Sequence, residues 1–79
     1  MPHISVKMLE GRSEEQKKRL AAALVRALTE ELHCSDHYVT CTVEDYSAVE
    51  WQTVFQREIA EKPVHVVYKK AEYNPKSLL

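Results

Sequence analysis

Pro2 is the residue of this chain whose position could support acid–base chemistry most directly. It follows the initiator Met1, and a small second residue such as proline normally allows the cell to remove that methionine. The mature chain would then begin with a secondary amine, and an unperturbed α-amino group has a pKa of about 7.7–8.0. A low-dielectric pocket or a nearby cation would lower this pKa. Pro2 is therefore a candidate base for proton transfer near neutral pH, although a proline here also simply starts many extended segments.

The first half of the chain is predicted to form a strand, a helix and a second strand. Apolar and polar residues alternate over residues 2–9, which predicts a strand with one buried face. The helix is expected to begin at Ser13, because residues 13–16 have the pattern of a capping box. An apolar stripe that should pack on the sheet follows: Leu20, Leu24, Leu28 and Leu32, with Ala23 and Ala27 beside them. The second strand is predicted at about residues 38–44, parallel to the first in a right-handed crossover.

The second half adds a shorter helix and a last strand. Residues 47–50 form a second capping-box pattern, and the helix that follows should end at Lys62-Pro63 because proline cannot continue it. Alternation over about residues 64–70 predicts a C-terminal strand. The tail, residues 74–79, has no periodicity and could exchange as an arm with a partner chain.

These elements predict an α+β fold in a single domain covering residues 1–79. A single β-α-β unit leaves sheet edges uncovered, and exposed edges favour pairing with another chain. A domain of this length also buries a modest core and is often stabilised by oligomerisation. The chain is therefore expected to be a homodimer, with a hexamer less favoured because the second helix and the tail could cover the surface on which dimers would stack.

The order of several short motifs resembles the 4-oxalocrotonate tautomerase family. The first match covers about twenty residues: the strand that begins Pro-x-Ile-x-Val, then Glu-Gly-Arg-Ser at 10–13 and Glu-Gln-Lys at 15–17. A looser match to a longer bacterial branch, whose members are often dimers, follows in the same order. Its elements are Glu50-Trp51-Gln52, Phe55, Glu58-Ile59-Ala60, Lys69-Lys70 and Tyr73. The resemblance implies a fold in which two subunits together mimic a β-α-β-β-α-β arrangement.

The resemblance also implies a reaction and a substrate class. Pro2, as the mature N-terminus, would act as general base and then general acid in keto–enol tautomerisation of a 2-oxo or 2-hydroxy unsaturated acid or an arylpyruvate. The matching arginine of the family binds the substrate carboxylate, which gives this role to Arg12. Guanidinium is suited to it because it can bind a carboxylate with two hydrogen bonds. Read from the residues alone, Arg12 could equally be a solvated loop residue or pair with Glu14 or Glu15. No metal or organic cofactor is implied.

Trp51 and Phe55 are the candidates for an apolar wall of the substrate site. A dry wall beside the amine would lower its pKa, and the indole N–H of Trp51 could donate a hydrogen bond. Both residues also fit the apolar stripe of the second helix, so both could be core residues. The polar loop residues His33, Cys34 and His37 lack the spacing of known zinc patterns, so no metal site is predicted.

Composition excludes several other classes of function. The formal net charge is −1, with 11 basic and 12 acidic side chains, and no basic stripe supports nucleic-acid binding. No apolar run approaches the length of a membrane span, and no signal peptide is visible. The two cysteines do not form a CxxC pair and are expected to stay reduced, so the protein is predicted to be cytoplasmic.

One departure from the family's pattern and two alternative functions leave the interpretation open. An ungapped comparison places Thr40 where hexameric members of the family have a second arginine, which favours a monocarboxylate such as the enol of phenylpyruvate over a dicarboxylate. The chain could also be a non-catalytic oligomeric module that binds a small acid or a protein partner. Hydration or dehalogenation of an unsaturated acid would require a further water-activating carboxylate, and the sequence identifies none.

Overall fold

Two strands and two helices form the regular secondary structure of the computed structural model, which describes residues 1–79. In chain order they are β1 (His3–Leu9), α1 (Glu14–Leu32), β2 (Thr40–Tyr46) and α2 (Ala48–Phe55). Short helical turns complete the chain: 3₁₀ turns at Asp36–Tyr38, Val64–Val66 and Pro75–Leu78, and a π-helical turn at Gln56–Ala60. The α+β class is confirmed. The chain divides into two units, Met1–Asp45 and Tyr46–Leu79, and the single domain over residues 1–79 stays a prediction.

The two strands pair in parallel, as the sequence predicts. The Thr40 N–H at the start of β2 donates to the Pro2 carbonyl, at 3.2 Å. Further along both strands, the Lys7 ammonium lies 3.4 Å from the Glu44 carboxylate. Residue numbers rise together along the two strands, so they run in the same direction. The predicted start of β2 at residue 38 was wrong because Asp36–Tyr38 forms a 3₁₀ turn instead.

Both helices begin at the predicted capping boxes. The Gln16 N–H donates to Ser13 Oγ at 3.1 Å, and the Ser13 N–H donates to Gln16 Oε1 at 2.9 Å. The same reciprocal pair joins Glu50 and Ser47, at 3.1 and 2.8 Å. Each box satisfies two backbone donors that the first turn of a helix leaves unpaired, and a cap of this kind typically contributes about 1 kcal/mol.

The predicted apolar stripe of α1 is confirmed over its first three leucines only. Leu20, Leu24 and Leu28 are half-buried, whereas Leu32 is 60% exposed. Ala23 and Ala27 are also exposed, and the half-buried neighbours of the leucines are Ala21 and Val25. Leu32 is the last residue of the helix, and the chain turns away directly after it because His33 adopts a left-handed conformation, with φ of 53°.

The predicted C-terminal strand was wrong. Val64–Val66 forms a 3₁₀ turn, closed by the Val66 N–H on the Pro63 carbonyl at 3.1 Å, and no strand follows it. The alternating residues are exposed, with Val64 at 88% and Tyr68 at 96%. A strand requires a paired neighbour, and the sheet contains β1 and β2 alone. The apolar residues of this predicted strand therefore lie on the surface of the chain and pair with no strand.

Very little of the chain is buried, and no side chain is buried completely. Trp51, at 8% exposure, is the only buried side chain, and no polar side chain is buried. None of the helices combines the length and the apolar character needed to cross a lipid bilayer.

Candidate active site

Pro2 lies at the edge of the parallel sheet, immediately before β1 begins. Its carbonyl accepts the Thr40 N–H at 3.2 Å, which joins it to the first residue of β2. The Thr40 hydroxyl in turn lies 2.6 Å from Nδ1 of His3, the residue after Pro2. Two hydrogen bonds therefore hold the start of β1 against the start of β2, and Pro2 is half-buried there. His3 is exposed while Pro2 is half-buried, because successive side chains of a strand point to opposite faces.

Arg12 lies in the loop between β1 and α1, one residue before the helix cap. Its guanidinium donates one hydrogen bond to the Leu9 carbonyl, at 3.2 Å. The two glutamates that could have formed an ion pair with Arg12 have other partners. Glu14 pairs with Lys17 at 3.6 Å, and Glu15 pairs with Arg19 at 3.3 Å. Arg12 itself forms no ion pair. One donor thus anchors the side chain while the remaining donors are available for an anionic ligand.

Gly11 determines how this loop presents Arg12. Its φ is 127°, a conformation that L side chains rarely adopt, although a Cβ built there would meet no atom within 4 Å. The constraint on this position is therefore one of backbone conformation rather than space. Within the motif at residues 10–13, Gly11 therefore allows the backbone to turn and Arg12 supplies the positive charge.

Lys17 and Asp45 join α1 to the end of β2. Their charged atoms are 2.8 Å apart, and this hydrogen bond raises the pKa of the Lys17 ammonium above its ordinary value. In the second capping box, the backbone N–H of Ser47 lowers the pKa of Glu50 by stabilising its carboxylate. Neither pair includes a candidate catalytic or substrate-binding residue. Both pairs help to stabilise the helices and strands next to which those residues lie.

In the second unit, Trp51 and Phe55 meet at a third aromatic residue, Tyr73. The Trp51 indole N–H donates to the Tyr73 hydroxyl at 3.0 Å. The Phe55 ring packs edge-to-face on the Tyr73 ring, with centroids 5.5 Å apart and an interplanar angle of 72°. We call these three residues the aromatic cluster. The indole N–H that the sequence offered as a substrate donor is thus already bonded within the chain.

Tyr73 is the member of the aromatic cluster that reaches open space. It lines a cavity of 340 Å³ together with Ile59 and residues 69–72, and neither Trp51 nor Phe55 lines it. Sequence reasoning had noted Tyr73 only as part of the family resemblance. A signal for it was present, because a buried indole N–H usually requires an acceptor, and a tyrosine hydroxyl is a suitable one.

The structure brings Trp51 and Phe55 together in the second unit, but it separates Pro2 from Arg12, which lie beyond opposite ends of β1 in the first unit. Pro2 and Arg12 belong to the first unit, at the start of β1 and in the loop that follows this strand. Trp51 and Phe55 belong to the second, one turn apart on α2. No group of three or more His, Cys, Asp or Glu side chains in residues 1–79 is arranged to hold a metal ion.

Comparison with known proteins identifies the family. The family model described as "Tautomerase enzyme" matches residues 2–54. A probable tautomerase of Bacillus cereus is 43% identical over 47 residues, covering 60% of this chain and 77% of that protein. The 2-hydroxymuconate tautomerase of Bacillus subtilis is 38% identical over 45 residues, covering 57% of this chain and 73% of that protein.

A solved structure agrees with these matches. The crystal structure of TomN, a 4-oxalocrotonate tautomerase homologue in the tomaymycin biosynthetic pathway, is similar with a TM-score of 0.61 and 36% sequence identity. The match covers 63% of this chain and 77% of TomN. The predicted placement in the longer, dimeric branch stays a prediction. Because the family model covers more than half of the sequence, the chain belongs to the tautomerase family and is an isomerase of that family.

Proposed function

We propose that the enzyme catalyses keto–enol proton transfer on 2-oxo or 2-hydroxy unsaturated or aryl acids, with Pro2 as general acid and base after removal of Met1. The observation that carries the proposal is that the match to the tautomerase family begins at Pro2. With Met1 attached, the Pro2 nitrogen is an amide and cannot act as a base. Removal of Met1 converts it into a secondary amine, whose unperturbed pKa of about 7.7–8.0 lies close to working pH.

In the proposed reaction the neutral Pro2 amine takes the proton of the enol hydroxyl and forms the ammonium ion. The electron pair of the broken O–H bond becomes part of the new carbonyl group, and the enol double bond supplies the electrons for a new C–H bond at carbon. The ammonium ion returns its proton to that carbon. Proton and charge are balanced at the end of each turnover, and the amine is again neutral.

Arg12 is proposed to bind the substrate carboxylate, and because it lies at the other end of β1 from Pro2, the Arg12 and the Pro2 that act on one substrate are proposed to come from different copies of the chain. The support is its lack of an ion pair and the single bond to the Leu9 carbonyl that restrains its side chain. Thr40 offers a hydroxyl where hexameric relatives offer a second cation, so a monocarboxylate suits the site better than a dicarboxylate. Phenylenolpyruvate, the enol of phenylpyruvate, is accordingly the proposed test substrate, and 2-hydroxymuconate, named for the Bacillus subtilis relative, is the comparison substrate.

Trp51 and Phe55 are proposed to form an apolar wall for the body of the substrate. Their packing around Tyr73 supports this role, because a wall of interlocked rings keeps its shape when a ligand enters. An apolar wall also favours an aryl acid over a fully polar one.

The enzyme is proposed to act as a homodimer. Only Trp51 is buried within one chain, and the apolar residues Val64 and Tyr68 lie on the surface. The two-stranded sheet of one chain also leaves backbone groups unpaired at its edges. A second copy is the proposed partner that covers these surfaces, since an isologous interface buries the same patch twice.

The proposal is tested by preparing the same sequence in two forms, with Met1 removed and with Met1 retained, and by verifying each form by intact mass. Ketonisation of phenylenolpyruvate is followed by absorbance. We expect turnover from the processed form only, because only that form has a free amine at Pro2. Equal turnover from both forms would show that the reaction does not use the Pro2 nitrogen.

A further inference from the structure

Pro2 can be held in the sheet only through its carbonyl group. A proline nitrogen within an amide has no hydrogen to donate, and as the mature N-terminus this nitrogen must stay free to act as the base. The carbonyl accepts the Thr40 N–H at 3.2 Å, where the pairing of the two strands begins. The end of a paired segment opens most easily, so this single bond would leave the amine poorly fixed in direction.

A second hydrogen bond closes this end of the sheet. Nδ1 of His3 lies 2.6 Å from the Thr40 hydroxyl, across the two strands. The hydroxyl can donate to an unprotonated Nδ1, and a protonated Nδ1 can donate to the hydroxyl oxygen, so the bond is available to either form of the imidazole. Thr40 is thus bonded to Pro2 through its backbone and to His3 through its side chain.

Lys7 and Glu44 provide a comparison within the same sheet. They are 37 positions apart in sequence, as His3 and Thr40 are, so both pairs lie in the same register across the two strands. The charged atoms of Lys7 and Glu44 are 3.4 Å apart. Their pair lies four residues further along each strand, about 13 Å from the first pair. A function that depends on closeness to Pro2 should therefore belong to the first pair alone.

We propose that His3 and Thr40 are positioning residues, whose side-chain bond holds the Thr40 backbone against Pro2 and thereby fixes the direction of the Pro2 amine. This inference rests on the proposed function, because it takes that amine as the base. Proton transfer requires the base within hydrogen-bond reach of the substrate, and a small misplacement of a catalytic group lowers the rate. His3 acts through the backbone, since its side chain lies on the opposite face of the strand from that of Pro2.

The test removes the bond from either side and restores it from one. His3→Ala removes the imidazole, Thr40→Val removes the hydroxyl but keeps a branched side chain, and a double variant carries both changes. His3→Asn is the rescue variant, because its amide can place a hydrogen-bonding atom where Nδ1 of histidine lies. Lys7→Ala is the matched control, which breaks the other cross-strand pair of the same register. Each variant is prepared with Met1 removed and is verified by intact mass.

We expect kcat for phenylenolpyruvate to fall about three- to tenfold in His3→Ala and in Thr40→Val, the scale of one hydrogen bond. KM should change less than about twofold, because the bond acts on the base rather than on substrate binding. The double variant should lose no more than either single variant, because all three lack the same bond. His3→Asn should recover most of the loss, and Lys7→Ala should keep the kcat of wild type. An equal loss in Lys7→Ala, or losses that multiply in the double variant, would overturn the inference.

Amide hydrogen exchange at Thr40 provides a readout that does not depend on turnover. The Thr40 N–H donates to the Pro2 carbonyl, so its exchange rate reports whether the start of the sheet is closed. Exchange should be about three- to tenfold faster in His3→Ala than in wild type, and unchanged in Lys7→Ala. If wild type converts no phenylenolpyruvate but exchange accelerates in this way, the proposed function fails while the restraint on Pro2 stands. If wild type is active and His3→Ala keeps its kcat, the positioning role fails while the proposed function stands.

Discussion

Replacement of Arg12 by alanine should weaken substrate binding without disturbing the fold. The structure gives the reason for both parts. The only hydrogen bond that the guanidinium makes within the chain is to the Leu9 carbonyl, in an exposed loop. The first turn of α1 keeps its capping box, since that box consists of Ser13 and Gln16 alone. The thermal midpoint of Arg12→Ala should therefore stay close to that of wild type.

The expected loss of binding follows from the type of hydrogen bond. A bond to a charged group contributes about 1.5–3 kcal/mol, and each 1.4 kcal/mol corresponds to a factor of about ten. Loss of Arg12 should thus raise KM for phenylenolpyruvate about 10- to 100-fold. A substrate analogue without the carboxylate should be affected much less, because it has no group for Arg12 to bind.

Two variants control this experiment. Arg12→Lys keeps the positive charge but loses the planar pair of donors, and should fall between wild type and Arg12→Ala. Arg19→Ala removes an arginine that already pairs with Glu15 at 3.3 Å, and should leave KM unchanged. If Arg12→Ala affects the acid and the decarboxylated analogue equally, Arg12 is structural and its assignment to the carboxylate is refuted.

Three further predictions concern stability and assembly. Gly11→Ala should lower the free energy of unfolding by about 1–3 kcal/mol, measured by urea titration, because alanine is strained at φ of 127°; an unchanged value would contradict the backbone argument. The pKa of Glu50 is lowered, so its carboxylate contributes stability at pH values above 4.5 that is lost as the pH falls through the folded-state pKa. Glu50→Gln should therefore show a smaller drop in thermal midpoint between about pH 5 and pH 3 than wild type, and an equal drop would contradict this. The thermal midpoint of wild type should rise with protein concentration, because unfolding and dissociation of a dimer are coupled. Light scattering should give the mass of two chains. A mass of one chain would exclude the dimer, and a mass of six chains would show that the second helix and the tail do not prevent dimers from stacking.

The features that could be predicted from sequence depend on short-range physics. The two capping boxes are set by residues three positions apart, so Ser13 and Ser47 mark the helix starts without knowledge of the rest of the fold. The parallel pairing of β1 and β2 follows from the helix between them. Position 12 could be found because the family motif around it is short and contiguous.

The features that were wrong or missed depend on distant partners. The alternation over residues 64–70 resembles a strand, but whether it becomes one depends on a neighbouring strand that this chain does not provide. The contact between Trp51 and Tyr73 links positions 22 residues apart, and no periodicity predicts it. The start of β2 was placed two residues early because the Ser35 side chain caps a 3₁₀ turn, a local alternative to strand pairing.

The central claim, that Pro2 carries the proton, is tested most directly by Pro2→Ala. Alanine is also small enough at position 2 to permit removal of Met1, so the variant keeps a free amine that intact mass can verify, but loses the proline ring. Because a flexible primary amine replaces the positioned secondary amine of proline, the account predicts that ketonisation of phenylenolpyruvate falls about 100-fold or more, the scale of a misplaced acid–base group, in a variant with the thermal midpoint of wild type. Wild-type turnover by this folded variant would contradict the account and remove Pro2 from the mechanism.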